Sequence, residues 1–254
     1  MVYREHAKII KTDCLATGVY EIWFETDKIA KEAKAGQFIS VYSNDGSRLL
    51  PRPISICRID GSRLRIVYRV VGEGTLEFSK MKEGGYLDIQ GPLGNGYNPD
   101  TCKGKKAIIF GGGIGIPPML QLAASLDCEK EIVLGYKDEL FLDKEFEKFG
   151  HVTIATEDGS TGTKGNVLDA VKEHAIKGDI IYACGPTPML RAIKTYAQEN
   201  EIEAFVSLEE KMACGIGACL ACVCKTKEID EHSKVHNTRV CKEGPVFNVK
   251  EVEI

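Results

Sequence analysis

Cys214, Cys219 and Cys222 stand at C-x4-C-x2-C spacing, and Cys241 follows at a distance. Any fold this chain adopts has to accommodate that stretch, because this is the plant-type ligand order for a [2Fe–2S] cluster. Two irons bridged by two sulfides need thiolates converging from two sides. A tight loop can deliver the first three, and a later turn brings the fourth. Most of the residues around them are small: Ala213, Gly215, Gly217, Ala218 and Ala221. Such a loop lets backbone N–H groups approach sulfur, and glycine supplies the positive φ that the wrap requires. Four cysteines can also make a tetrahedral zinc centre, but zinc sites usually come as two short C-x2-C pairs and only one is present. A disulfide framework is disfavoured further. The other cysteines of the ten are scattered through segments that read as ordinary core or loop, and no secretory signal precedes them. Cys224, two residues beyond Cys222, reads as a bystander at the start of a strand over 223–226. His232 and His236 fall in a charged hairpin over 227–237, and a Rieske-type role for them is disfavoured because four cysteines already complete the set. The turn at Gly244 and Pro245 is expected to fix a final strand.

With 254 residues, 43% of them hydrophobic, the chain suits two domains or one large domain with an appendage. The expected division is 1–100, 101–207 and 208–254. A net charge of −4 and a pI near 5.8 offer no basic face for nucleic acid. No apolar run approaches the roughly 20 residues that cross a bilayer, so no membrane span is expected. A cytoplasmic, reducing location is the expectation that follows, and it suits thiols kept free for metal.

Residues 3–89 read as short strands. Segments 19–25, 37–42 and 63–70 alternate apolar with polar residues between Gly, Asn and Asp turns, which points to an antiparallel β-barrel. Within it, Arg52 and Ser55 are the polar members of an otherwise apolar strand. Shortly after, Gly72, Gly74 and Thr75 form a turn expected to open a short helix over 76–81. Arg52 could neutralise a pyrophosphate while the backbone N–H groups of Gly74 and Thr75 cradle it, with Ser55 facing an aromatic ring system. The breaker-rich segment 91–101 marks a boundary.

Beyond it the pattern changes to alternating strands and helices. Strand 106–110 runs into Gly111, Gly112, Gly113 and Gly115, then a helix over 119–126 led by Pro117 and Pro118, the order of a phosphate-binding βα unit. Strict G-x-G-x-x-G spacing is not met, since Ile116 takes the last position. Strands 131–136, 152–155 and 179–183, with helices 141–149, 167–174 and one running to Gln198, complete a doubly wound parallel α/β sheet. Its ligand would lie across the carboxyl ends of the strands, where Cys184, Gly185 and Pro186 also stand, and Asp138 could hold a ribose hydroxyl.

Taken in order, Arg52 to Ser55, Gly74-Thr75, Gly111 to Gly115 and Cys184 to Met189 resemble the flavin and pyridine-nucleotide motifs of the ferredoxin–NADP reductase superfamily. With the cysteine stretch and the segment 239–247, the chain resembles the electron-transfer subunits of type B dihydroorotate dehydrogenases. The resemblance implies that Arg52, Pro53, Ile54, Ser55, Val67, Tyr68, Arg69, Gly74 and Thr75 bind FAD, and that Cys214, Cys219, Cys222 and Cys241 hold a [2Fe–2S] cluster. It places NAD as co-substrate against Gly111, Gly112, Gly113, Gly115, Cys184, Gly185 and Pro186. Ile54 stands where plant-type reductases carry an aromatic residue, so Tyr68 is expected to cover part of the flavin. A nicotinamide exchanges a hydride and an iron–sulfur cluster single electrons, so a flavin must stand between them. By this resemblance a separate FMN-containing dihydroorotate dehydrogenase catalytic subunit forms orotate, in a heterotetramer of two of each chain. No residue here is expected to act as a catalytic acid or base, and Ser55 is the expected hydrogen-bond partner of the flavin N5. The alternatives are the small flavin subunit of a ferredoxin:NAD(P)H or hydrogenase-associated oxidoreductase, a self-contained NADH:acceptor reductase, and a metal-stabilised binding module. Cysteine at position 214 leans against the bifurcating reductases, where a different ligand is expected.

Overall fold

A computed structural model describes residues 1–229 and 234–254. The N-terminal strands are β1 (Tyr3–Ala16), β2 (Val19–Glu25), β3 (Phe38–Tyr42), β4 (Arg52–Asp60), β5 (Arg63–Arg69) and β6 (Tyr86–Leu93), with the helical turn α1 (Ile29–Glu32) and helix α2 (Glu73–Phe78) between them. They close into an antiparallel barrel of order β1-β2-β5-β4-β3-β6. Alternation explains the closure: Ile22, Phe24, Ile39, Val41, Ile56, Leu64, Ile66, Leu87 and Ile89 all point into one apolar interior. Each such side chain taken fully out of water contributes about 1.5–3 kcal/mol.

The second half holds β7 (Ala107–Gly112), α3 (Ile116–Ser125), β8 (Lys130–Tyr136), the short turn α4 (Asp143–Phe146), β9 (His151–Thr156), β10 (Thr163–Lys164), α5 (Val167–Glu173), β11 (Ile180–Cys184), α6 (Thr187–Glu199) and β12 (Glu203–Ser207). Beyond them lie β13 (Val223–Lys225), β14 (Asn237–Arg239) and β15 (Val246–Asn248). The large sheet has the order β10-β9-β8-β7-β11-β12-β15. Chain order reverses between β7 and β11, which opens a crevice at their carboxyl ends. All its pairs are parallel except the last, where β15 runs antiparallel to β12. The cysteine-bearing segment thereby supplies the edge strand of this sheet.

Some element boundaries differ from the sequence expectation. The helix expected over 76–81 starts at Glu73, so Gly74 and Thr75 lie in its first turn. The helix expected over 119–126 begins at Ile116, with both prolines in the first turn, where their missing N–H groups cost nothing. The helix expected over 141–149 shrinks to one turn, because Leu142 takes a left-handed backbone (φ 64°) that no helix continues through. Strand β12 was not anticipated. The strand beginning at Val223 ends at Lys225, with Thr226 bridging to Val252. Residues 230–233, and His232 with them, lie outside the described residues; His236 is exposed and its carbonyl accepts the Thr226 N–H.

Barrel and sheet share a core, since Val19, Cys57 and Val67 pack in one cluster with Tyr97, Ile109, Met119 and Tyr182. Polar bridges cross the same junction. Buried Glu21 takes the Arg65 Nε–H at 2.5 Å, and Arg65 reaches on to Glu145 of α4 at 2.8 Å. The Gln121 side-chain carbonyl accepts the Ile59 N–H at 2.8 Å, and Glu139 accepts from Thr17 N and Oγ1 at 2.6 and 2.7 Å.

Candidate functional site

One cleft of about 380 Å³ opens between the barrel and the segment that follows β12. Arg52, Pro53, Ile54, Ser55, Val67, Tyr68, Arg69, Gly74 and Thr75 all line it, although three separate stretches supply them. Strand pairing does the gathering: β4 and β5 are neighbours in the barrel, and α2 follows β5 directly. Arg52 donates to the Leu50 carbonyl, and its guanidinium lies so close over Gly74 that a Cβ there would meet Nε at 2.5 Å. A side chain at position 74 would push that cation aside. The Thr75 hydroxyl fixes the turn, accepting from Val71 and Gly72 N–H at 3.0 and 3.2 Å. Tyr68 packs edge-on against Phe78, and its buried hydroxyl has no hydrogen-bond partner among the described residues. Burial, with Tyr20 alongside, pushes that phenol well above its ordinary value. A buried hydroxyl left without a partner costs about 1–3 kcal/mol. A polar aromatic ligand in the cleft would relieve that cost, so the walls fit a flavin.

A second cleft of about 420 Å³ lies at the carboxyl ends of β7 and β11, lined by Gly112, Gly115, Gly185 and Pro186. The remaining nucleotide candidates do not line it. Gly111 packs against Ile116, Gly113 takes positive φ (51°) in the turn before α3, and Cys184 is buried in the core. Desolvation, then Glu209, push the Cys184 thiol upward. These residues shape the crevice instead: a Cβ on Gly115 would stand 2.5 Å from the Cys184 backbone, so glycine sets how closely the two strand ends approach. Asp138 accepts the Glu139 N–H at 2.6 Å, just past β8.

Sequence reasoning missed the residues that join the clefts. Ile114, Leu208, Glu209 and Glu210 line both, and Ser207 and Met212 line the first. Glu209 keeps exposed atoms yet is walled closely enough that desolvation raises its carboxyl. The available signal was their place directly after the carboxyl end of a sheet strand, which was hidden while β12 went unseen.

Two residues past Met212 the cysteine loop begins. Cys219 is among the neighbours that lower the Cys214 thiol, and Cys222 among those that raise the Cys241 thiol. Among the described residues no three His, Cys, Asp or Glu side chains close around one point fit for a single metal ion. The C-x4-C-x2-C order of these cysteines, with a distant fourth, is that of a two-iron cluster. Backbone N–H groups point at the sulfurs: Ile216 and Ala218 donate to Cys214 at 3.5 and 3.2 Å, Gly217 to Cys241 at 3.1 Å, and Cys241 to Cys222 at 3.4 Å. Desolvation would raise the Cys214 thiol, but the Ile216, Cys219 and Ala218 contacts outweigh it and bring it to about 6. Burial and then Cys222 push Cys241 up to about 12. Cys222 and Cys241 are buried while Cys219 is exposed, so one corner of the set faces outward. Cys224 stands apart, half-buried on the second cleft, its thiol raised to about 11 by desolvation and Glu210.

Residues 209–253 match the family model for the iron-sulfur cluster binding domain of dihydroorotate dehydrogenase B. Over 253 residues the chain is 43% identical to the dihydroorotate dehydrogenase B (NAD(+)) electron transfer subunit of Caldanaerobacter subterraneus subsp. tengcongensis, covering 99% of each. With the subunit of that name from Geobacillus sp. it shares 40% identity over 261 residues, again 99% of each. The chain belongs to this family of electron transfer subunits. Among solved structures, an NADH-dependent reduced ferredoxin-NADP oxidoreductase studied for flavin-based electron bifurcation superposes with a TM-score of 0.86 at 28% identity, over 97% of this chain and 89% of the other. A ferredoxin NADP+ reductase from Neisseria gonorrhoeae, with bound FAD and NADP, shares the fold at a TM-score of 0.65 and 15% identity, over 77% of this chain and 91% of the other. An electron transfer subunit of dihydroorotate dehydrogenase B works with a catalytic partner, and its placement within this fold agrees with the barrel, sheet and cysteine segment described above. Among the described residues no helix is long and apolar enough to cross a membrane.

Proposed function

We propose that this chain takes electrons from an FMN-containing, dihydroorotate-oxidising subunit and delivers them, through a [2Fe–2S] cluster and FAD, to NAD+. The assembly is two copies of each chain in the cytoplasm. What carries the order of the three sites is the continuity of residues 207–212, which wall the first cleft, share the second and run straight into Cys214. When bound, FAD exchanges two electrons with a nicotinamide and one at a time with an iron–sulfur cluster, which is the conversion these sites require.

The chain's own residues supply binding and placement. Arg52 would set a cation at the pyrophosphate of FAD, with the Gly74 and Thr75 backbone beside it, while Ser55 would hydrogen-bond the flavin N5 and Tyr68 would cover part of the ring. Cys214, Cys219, Cys222 and Cys241 would hold the cluster, which would supply one-electron transfer there. Gly112, Gly115 and Gly185 let a dinucleotide lie against the strand ends, where Glu209 and Glu210 meet it at the mouth of the first cleft. The Cys219 corner faces the partner.

Copurification followed by an orotate assay tests this. Cys219→Ala should abolish NAD+-dependent orotate formation by the complex while NADH oxidation with an artificial two-electron acceptor persists. Equal loss of both with FAD still bound would reverse the cofactor order, and a copurifying ferredoxin or hydrogenase subunit would replace the dihydroorotate assignment.

A further inference from the structure

Arg239, at the end of β14, is not one of the cysteine ligands and lines neither cleft. Its side chain is only 17% exposed and is held on its own segment by Glu243, which accepts from Arg239 N at 3.0 Å and from Nε at 2.9 Å and pairs with the far nitrogen as well. A different guanidinium nitrogen donates across the gap to the Gly217 carbonyl at 2.9 Å. That carbonyl belongs to the peptide unit whose N–H, on Ala218, donates to Cys214 Sγ at 3.2 Å. The preceding peptide unit ends in the Gly217 N–H, which donates to Cys241 Sγ at 3.1 Å. Gly217 is therefore the residue whose flanking amides serve the sulfurs of both Cys214 and Cys241, and Arg239 grips it. The grip needs glycine there: φ is +83°, and a Cβ would meet the Lys242 side chain at 2.6 Å.

We propose that Arg239 is a positioning residue that sets the reduction potential of the cluster, working through the Gly217 peptides, with Glu243 as its counterweight. This rests on the iron–sulfur assignment above. A donor on a peptide carbonyl polarises that unit and strengthens its N–H as a donor. Stronger N–H···S bonds and a nearby fixed cation both favour the form of the cluster carrying one more electron. Arg239 therefore raises the potential. Glu243 holds the guanidinium in place through its two carboxylate oxygens and partly cancels its charge. The two side chains pull the potential in opposite directions, which a merely structural pair would not do.

The experiment is a redox titration of the cluster, followed by electron paramagnetic resonance, in the anaerobically purified full chain with its flavin. Arg239→Met should shift the midpoint to more negative values, with the equilibrium constant for reduction falling about tenfold, or about 59 mV for one electron. Arg239→Lys should recover most of that shift, and Glu243→Gln should move the midpoint the opposite way. Wild-type potentials in Arg239→Met and Glu243→Gln, or shifts of one sign in both, would overturn the proposal. Should Arg239→Met fail to retain the cluster, Glu243→Gln decides alone, an unchanged or more negative midpoint counting against it. A wild-type chain without iron and acid-labile sulfide would instead remove the assignment beneath it.

Discussion

The barrel cleft and the cysteine loop do comparable jobs by opposite means. Around the cleft every candidate residue sits on a strand or in the first turn of a helix, and strand ladders and helical structure that exist without any ligand fix the backbone. Across the loop from Cys214 to Cys222 there is neither helix nor strand. Its backbone N–H groups are spent on sulfur. A scaffold that stands alone can lose a ligand and keep its shape, whereas a loop organised on its ligands depends on them for folding.

The comparison breaks most visibly at Cys222, whose thiol is buried. Cys222→Ala should eliminate the visible absorbance of the cluster and open the loop to limited proteolysis, while FAD content and far-ultraviolet circular dichroism stay near wild type. Proteolytic cutting within the barrel would contradict the contrast. A smaller effect is expected where barrel and sheet meet. Arg65→Met breaks the buried Glu21–Arg65 pair and leaves Glu21 only the half-exposed Lys11, at 3.0 Å; breaking a buried pair costs about 3–5 kcal/mol. At about 2–4 °C per kcal/mol for a chain of this size, the melting temperature should drop by roughly 6–20 °C. A drop under 2 °C would show that the junction does not rely on this network.

Arg52→Ala sharpens the contrast from the other side. Loss of one charge-assisted hydrogen bond, about 1.5–3 kcal/mol, should weaken FAD binding about 10- to 100-fold, with cluster content and melting temperature of the apo-barrel unchanged. Stoichiometric flavin after gel filtration at submicromolar protein would defeat the pyrophosphate assignment. The smallest effect concerns pH. Partial burial would raise the Glu77 carboxyl, but donors from Ser43, the Asn44 N–H and Arg48 outweigh it and hold the value below the ordinary one. A depressed folded value means that Glu77 contributes stability above the unfolded-state pKa, about 4.3, and loses it as pH falls through the folded value. Glu77→Gln should therefore lower stability near neutrality and flatten the acid limb of a melting-temperature profile. An acid limb as steep as wild type would refute this.

Much of this was legible in the sequence. Periodicity located β2, β3 and β5 of the barrel, since residues such as Val19, Glu21 and Trp23 alternate with their neighbours across one wall. The cysteine spacing located the metal loop, whose glycines and alanines let amides reach sulfur. What stayed hidden depended on partners distant in the chain. Glu203–Ser207 becomes a strand by lying between β11 and β15, a pairing that no local pattern declares. The helix expected over 141–149 failed because Phe141 and Leu142 bury themselves around a left-handed turn, not along a helical face. Among the cleft residues, those facing inward from strands were visible through their chemistry, while residues 207–212 gained their place only from the sheet edge they follow.

Strand β15 carries a last consequence. The chain leaves the cysteine loop, passes Cys241 and is sewn onto β12, while Asn95 from the barrel end donates to the Gly244 carbonyl at 2.6 Å and the Glu243 carbonyl at 3.0 Å. The metal segment is thus stitched at both hems, unlike the swinging carriers that ferry charge on a tether. Current through such a subunit is governed by fixed gaps and tuned voltages, and its turnover is expected to be indifferent to the viscosity of the medium.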